Sequence, residues 1–123
     1  MIKYIITMIL AALTLMANPK GNSMENLTEI YLGGGCFWGT QGYFDLINGV
    51  VYSEVGYANG ISDQTSYNQI ARTDHAEVVR LKFDANRVDI NEILEHYFRI
   101  IDPFSINKQG NDIGRQYRTG IYY

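Results

Sequence analysis

Cysteine is almost missing from this chain: Cys36 is the single thiol in 123 residues. A domain with one Cys builds no internal disulfide framework, so that thiol is reactive, paired with a partner, or buried as a small hydrophobe. An excess of basic residues is missing too. The 10 Lys and Arg lie scattered among 13 Asp and Glu, giving a formal net charge of −3, and no stripe of them offers itself to a phosphate backbone. Nucleic-acid binding is set aside on that ground. Internal repeats and low-complexity tracts are also lacking, and 46% hydrophobic with 19% charged residues is the profile of one small globular domain. What the chain has in abundance is rings: ten Tyr, five Phe and one Trp bury area while offering polar edges, and several could line a pocket.

The longest apolar stretch, residues 4–17, is shorter than the roughly 20 residues a membrane-crossing helix needs. It follows Lys3, is broken only by Thr7 and Thr14, and ends among small residues. This is the pattern of a secretory signal peptide at residues 1–17, cleaved after Ala17, which places the mature protein in the periplasm or cell envelope. If Met24 is the true start, the protein is cytoplasmic instead. Residues 18–28 are polar and include Pro19, Gly21 and Ser23, so they read as a leader before a folded domain at residues 29–123.

Within that domain, Ile30-Tyr31-Leu32 predicts a strand stopped by Gly33-Gly34-Gly35. Phe37, Thr40, Gln41, Phe44 and Ile47 then fall at helical spacing up to Asn48-Gly49, although Gly39 and Gly42 weaken that helix. Residues 50–57 alternate as a strand, and residues 76–83 set Val79, Leu81 and Phe83 against Val78, Arg80 and Lys82 as another, with a polar loop between. Asp89 with Glu92 resembles a capping box, and Ile90, Ile93, Leu94, Tyr97, Phe98 and Ile101 mark one helix face that ends at Asp102-Pro103. Residues 117–123 predict a last strand. The order strand, helix, strand, strand, helix, strand points to an α+β fold: a ferredoxin-like split β-α-β sandwich, its antiparallel or mixed sheet carrying helices on one face.

Cys36 follows a strand and three glycines and opens a helix. The unpaired N–H groups and dipole of a helix start favour an anion, and thiolate is the anion a cysteine offers. The plainer alternative is a small buried hydrophobe. A phosphate cradle fits poorly, because Phe37 and Trp38 crowd the site and the Lys-Ser/Thr ending of a P-loop is missing. For Glu77 and for the tyrosines, the ordinary roles are a solvated carboxylate and sheet packing. His96 is expected to be exposed on its helix, and His75 to serve structure rather than proton transfer.

Gly35-Cys36-Phe37-Trp38-Gly39 resembles the signature of A-type peptide methionine-S-sulfoxide reductases. The resemblance continues through Gly56-Tyr57-Ala58-Asn59-Gly60, Tyr67, His75-Ala76-Glu77-Val78-Val79-Arg80, Asp102-Pro103 and residues 109–118 (Gln-Gly-Asn-Asp-Ile-Gly-Arg-Gln-Tyr-Arg). It implies reduction of methionine S-sulfoxide, free or in oxidised proteins, by attack of Cys36 on the sulfoxide sulfur, leaving a sulfenic acid on Cys36. It further implies Glu77 as the acid, Tyr67 and Tyr117 as hydrogen-bond donors to the sulfoxide oxygen, and Asp112 as the carboxylate completing the site. Phe37 and Trp38 would wall the S-methyl group. No bound cofactor or metal is implied; the reductant would be an external thiol, thioredoxin-like in the family and dithiothreitol in vitro.

The chain departs from that pattern in having no second Cys to resolve the sulfenic acid, and family domains continue beyond the position of Tyr123, so a C-terminally truncated domain is expected. The short stretch from Tyr67 to Glu77 resembles the A-type half of enzymes fused to a B-type reductase domain. Two other classes compete: a different thiol enzyme, such as a peroxidase or hydrolase pairing Cys36 with His75, and a non-catalytic binding module with an inert Cys36.

Overall fold

The computed structural model describes residues 26–123, so the expected signal peptide and most of the polar leader lie outside the described residues. The chain runs β1 (Thr28–Gly33), α1 (Phe37–Phe44), β2 (Val50–Ala58), α2 (Ile70–Thr73), β3 (Ala76–Phe83) and α3 (Ile90–Ile100). A small hairpin of β4 (Lys108–Gln109) and β5 (Asp112–Ile113), a 3₁₀ turn (Arg115–Tyr117) and β6 (Gly120–Tyr122) complete it. The main sheet has the order β2-β3-β1-β6, and every pairing in it is antiparallel. The fold is therefore α+β with an antiparallel sheet.

Alternation decides which side of the sheet the helices cover. Ile30 and Leu32 of β1 join Val79, Leu81 and Phe83 of β3 in one buried cluster with Phe37 and Phe44 of α1 and Ile93 and Tyr97 of α3. The same parity puts Glu77 on that covered side, opposite Tyr57 in the β2/β3 register. The other side carries Arg80, whose guanidinium pairs with Glu29 at 3.0 Å and with Glu54 at 3.5 Å. Burying aliphatic and aromatic side chains supplies most of the driving force, at about 1.5–3 kcal/mol for each fully buried large one.

Several elements differ from their sequence expectation, each for a local reason. Helix α1 stops at Phe44 rather than reaching Ile47, because the chain tightens into turns in which Leu46 N–H donates to Tyr43 O and Ile47 N–H to Phe44 O. Gly49 then reverses the chain at φ +106°, where an added Cβ would lie 2.5 Å from Val88 Cγ1. On α3 the Asp89 side chain accepts from Glu92 N–H as anticipated, but Phe98 and Ile90 are exposed, so the buried face is the narrower one through Ile93 and Tyr97. The last strand shrinks to Gly120–Tyr122, and Tyr117 sits on the 3₁₀ turn before it. Within the polar loop, residues 70–73 form α2, where Ile70 turns inward.

Candidate active site

Cys36 is the residue that caps the N-terminus of α1, and its thiol is free and half-buried. Its place is set from both sides. Gly35 before it adopts φ +81°, and a Cβ there would come within 2.9 Å of the Gln109 side chain, so the approach into the helix needs glycine. After it, buried Thr40 donates its hydroxyl to Gly34 O at 3.2 Å, and Thr40 N–H bonds Cys36 O at 3.3 Å.

Glu77, at the start of β3, is 3% exposed. Its Oε1 accepts the backbone N–H of Phe37 at 3.1 Å, so the carboxyl takes up the first amide of the helix that Cys36 begins. Burial pushes the Glu77 carboxyl above the ordinary carboxyl range; the Phe37 amide works against that shift, and the Asp112 charge adds to it. Desolvation wins, and the group is biased toward its protonated form.

Tyr117 is half-buried, and its phenol is held above the usual range first by burial and then by Glu77, Asp112, Tyr67 and Cys36. Those same neighbours show that Cys36, Glu77, Tyr117 and Asp112 share one locality. Asp112, half-buried on β5, also lines a hollow of about 290 Å³ together with Cys36. Phe37 is buried and Trp38 is 64% exposed, and their rings meet edge to face with centroids 5.2 Å apart. Tyr67 is 66% exposed on the loop before α2, at the rim rather than packed into the cluster.

Both histidines are engaged elsewhere. His75 is buried, its Nδ1 2.8 Å from Thr73 Oγ1 and its ring against Gly60, and no hydrogen bond joins it to Cys36 among the described residues. His96 is half-buried rather than exposed, because the Tyr43 hydroxyl lies 2.8 Å from its Nδ1. A Cys-His enzyme would need a close pair that this arrangement does not contain.

Sequence reasoning missed two contributors. Tyr57 stacks a tilted ring 5.6 Å from Phe37, and burial followed by the Glu77 charge raises its phenol. The signal was present in its register opposite Glu77, which only strand pairing reveals. Arg118 is the second: its guanidinium donates to Asn59 O, Asp74 O and Arg115 O, while Arg115 forks onto the Asp74 carboxylate at 2.6 and 2.8 Å. These bonds bind the 3₁₀ turn that carries Tyr117 to both ends of the loop that carries Tyr67.

A helix-opening thiol beside a buried, proton-bearing carboxyl and a set of phenols, mounted on an antiparallel sheet, defines a thiol-centred α+β domain. Residues 28–123 match the model of a family described as peptide methionine sulfoxide reductase. Methionine sulfoxide reductase A of Corynebacterium diphtheriae is 38% identical, with a TM-score of 0.76, over 79% of this chain and 47% of that one. Mxr1 from Saccharomyces cerevisiae in its reduced form is 35% identical, with a TM-score of 0.74, over 84% of this chain and 62% of that one. The chain thus spans between about half and three-fifths of the length of these structures. It belongs to the peptide methionine sulfoxide reductase family, on the A-type branch.

Proposed function

We propose that this chain reduces methionine S-sulfoxide, free or in oxidised proteins, to methionine. The observation that carries the reading is the hydrogen bond from Phe37 N–H to buried Glu77, which joins the acid to the residue next to the thiol. The Cys36 thiolate attacks the sulfoxide sulfur. The substrate's S–O bond breaks and a Cys36 S–O bond forms, so methionine is reduced and Cys36 is oxidised to the sulfenic acid. Glu77 supplies the proton the oxygen needs, which its raised pKa equips it to do. Tyr117 and Tyr67 serve as neutral donors to that oxygen, with Asp112 completing the site and Phe37 and Trp38 walling the methyl group.

Regeneration calls for a thiol from outside these 123 residues, thioredoxin-like in the cell, and no bound cofactor. The insertion of β3 between β1 and β2 supports a ferredoxin-like split β-α-β sandwich. Export to the periplasm or envelope rests on the pattern of residues 1–17, and a downstream B-type domain on the short stretch between Tyr67 and Glu77.

The test is turnover of a peptide containing methionine S-sulfoxide with dithiothreitol as reductant. Cys36→Ser is expected to abolish it, and Glu77→Gln to lower kcat by about a hundredfold, the scale of a general acid's contribution. Undiminished turnover in the serine variant would sink the mechanism.

A further inference from the structure

Cys36 has two surroundings, and the proposed reduction uses one of them. On one side stand Glu77, Tyr117, Phe37 and Trp38, where the sulfoxide oxygen and methyl group are accommodated. On the other, Cys36 lines the hollow of about 290 Å³ whose wall includes Gly39, Thr40 and Tyr43 of α1 together with Gln109 and Asp112 of the β4-β5 hairpin. None of Glu77, Tyr117, Phe37 and Trp38 lines that hollow. Asp112 alone belongs to both, since its charge reaches Glu77 and Tyr117 while it borders the second space.

We propose that this second hollow is the entry for a small thiol that reduces the Cys36 sulfenic acid. The proposal rests on the methionine sulfoxide reading and adds where the second substrate binds. Displacement at sulfur is in-line, so the incoming sulfur must arrive opposite the departing oxygen. The sulfenic oxygen, taken from the sulfoxide, is left on the Glu77 side, and the hollow beside α1 opens the other approach. Asp112 takes the proton of the entering thiol, a new S–S bond forms to Cys36, the S–O bond breaks, and the oxygen leaves as water with a proton from Glu77. The entering sulfur is oxidised and the Cys36 sulfur reduced to the disulfide level. A second thiol then splits the mixed disulfide and returns Cys36 as thiolate. The volume suits a small thiol or one thiol-bearing side chain.

Gly39 allows the hollow to be filled without disturbing the fold, because a Cβ built there meets nothing within 4 Å and glycine inside a helix is itself unfavourable. The experiment uses the 123-residue chain in two stages. First, stoichiometric methionine sulfoxide is added without reductant, and released methionine and lost thiol are measured. Dithiothreitol is then added and the return of the Cys36 thiol is timed. Gly39→Leu is expected to leave the methionine burst intact and slow thiol return by about tenfold or more, as displacement near a reacting atom does, with Gly39→Ala in between. Return at the wild-type rate in Gly39→Leu overturns the entry assignment alone. A slowed burst in that variant also overturns it, by assigning the hollow to the sulfoxide. A wild-type chain that releases no methionine overturns the reductase reading, and this proposal with it.

Discussion

At the scale of the residue, Glu77 is where burial and hydrogen bonding pull in opposite directions. Because its folded pKa lies above the ordinary carboxyl range, the native state holds this proton more tightly than the unfolded chain does. The stability it contributes is present in full at acid pH and is lost as pH rises through the raised value. Glu77→Gln should therefore flatten that part of the stability profile, and urea midpoints of both proteins across the acid to neutral range check it. Asp74 and Glu29 behave in the opposite sense, held low by Arg115 and Arg80, so what they contribute is lost only as pH falls. The difference between wild type and the glutamine variant isolates Glu77 from them. Activity should follow the same group: the decline of kcat on the alkaline side should disappear in Glu77→Gln along with most of the rate.

At the scale of the element, Tyr97 is the tie between helix and sheet. Its hydroxyl donates to Gly33 O at 2.5 Å and accepts from Gly120 N–H at 3.0 Å, where β1 and β6 pair Gly33 with Gly120. Burial raises this phenol to about 12, so it stays a neutral donor throughout the working range. Tyr97→Phe leaves these groups short of a partner in a dry place, and the expected loss is about 1–3 kcal/mol in denaturant unfolding. Periodicity marked Tyr97 as an inward position on α3 but could not say that its oxygen holds two strands together. The same limit explains the other gaps. Strands β1 and β3 were legible because alternation persists over six and eight residues. The two-residue strands β4 and β5 are too short to alternate, and the early end of α1 follows from turn bonds that carry no hydrophobic signature.

At the scale of the whole molecule, the sheet is the stable part and the reactive surface is assembled from its connections. Cys36 comes from the β1-α1 junction, Glu77 from the start of β3, Asp112 from the small hairpin and Tyr117 from the 3₁₀ turn. The motif blocks named most of these residues in the sequence, because each block carries its own chemistry. What the blocks did not reveal was the fastening between them. Arg118, with a side chain 13% exposed, performs that task through backbone carbonyls on both sides. Arg118→Ala should cost about 2 kcal/mol, the scale of charge-assisted bonds to buried carbonyls. It should also raise KM for a sulfoxide peptide as the Tyr67 loop parts from Tyr117, which steady-state kinetics on the still-folded variant would reveal; unchanged KM would deny Arg118 that part.

The bond between Glu77 and the Phe37 amide also bears on what happens after a proton has left. A carboxylate stranded in a dry interior would ordinarily be driven toward solvent. Here the spent acid already rests on a helix-end donor suited to hold an anion, so it can wait in place and take up a fresh proton without any rearrangement of the chain. The chemistry can then cycle on a scaffold that stays still.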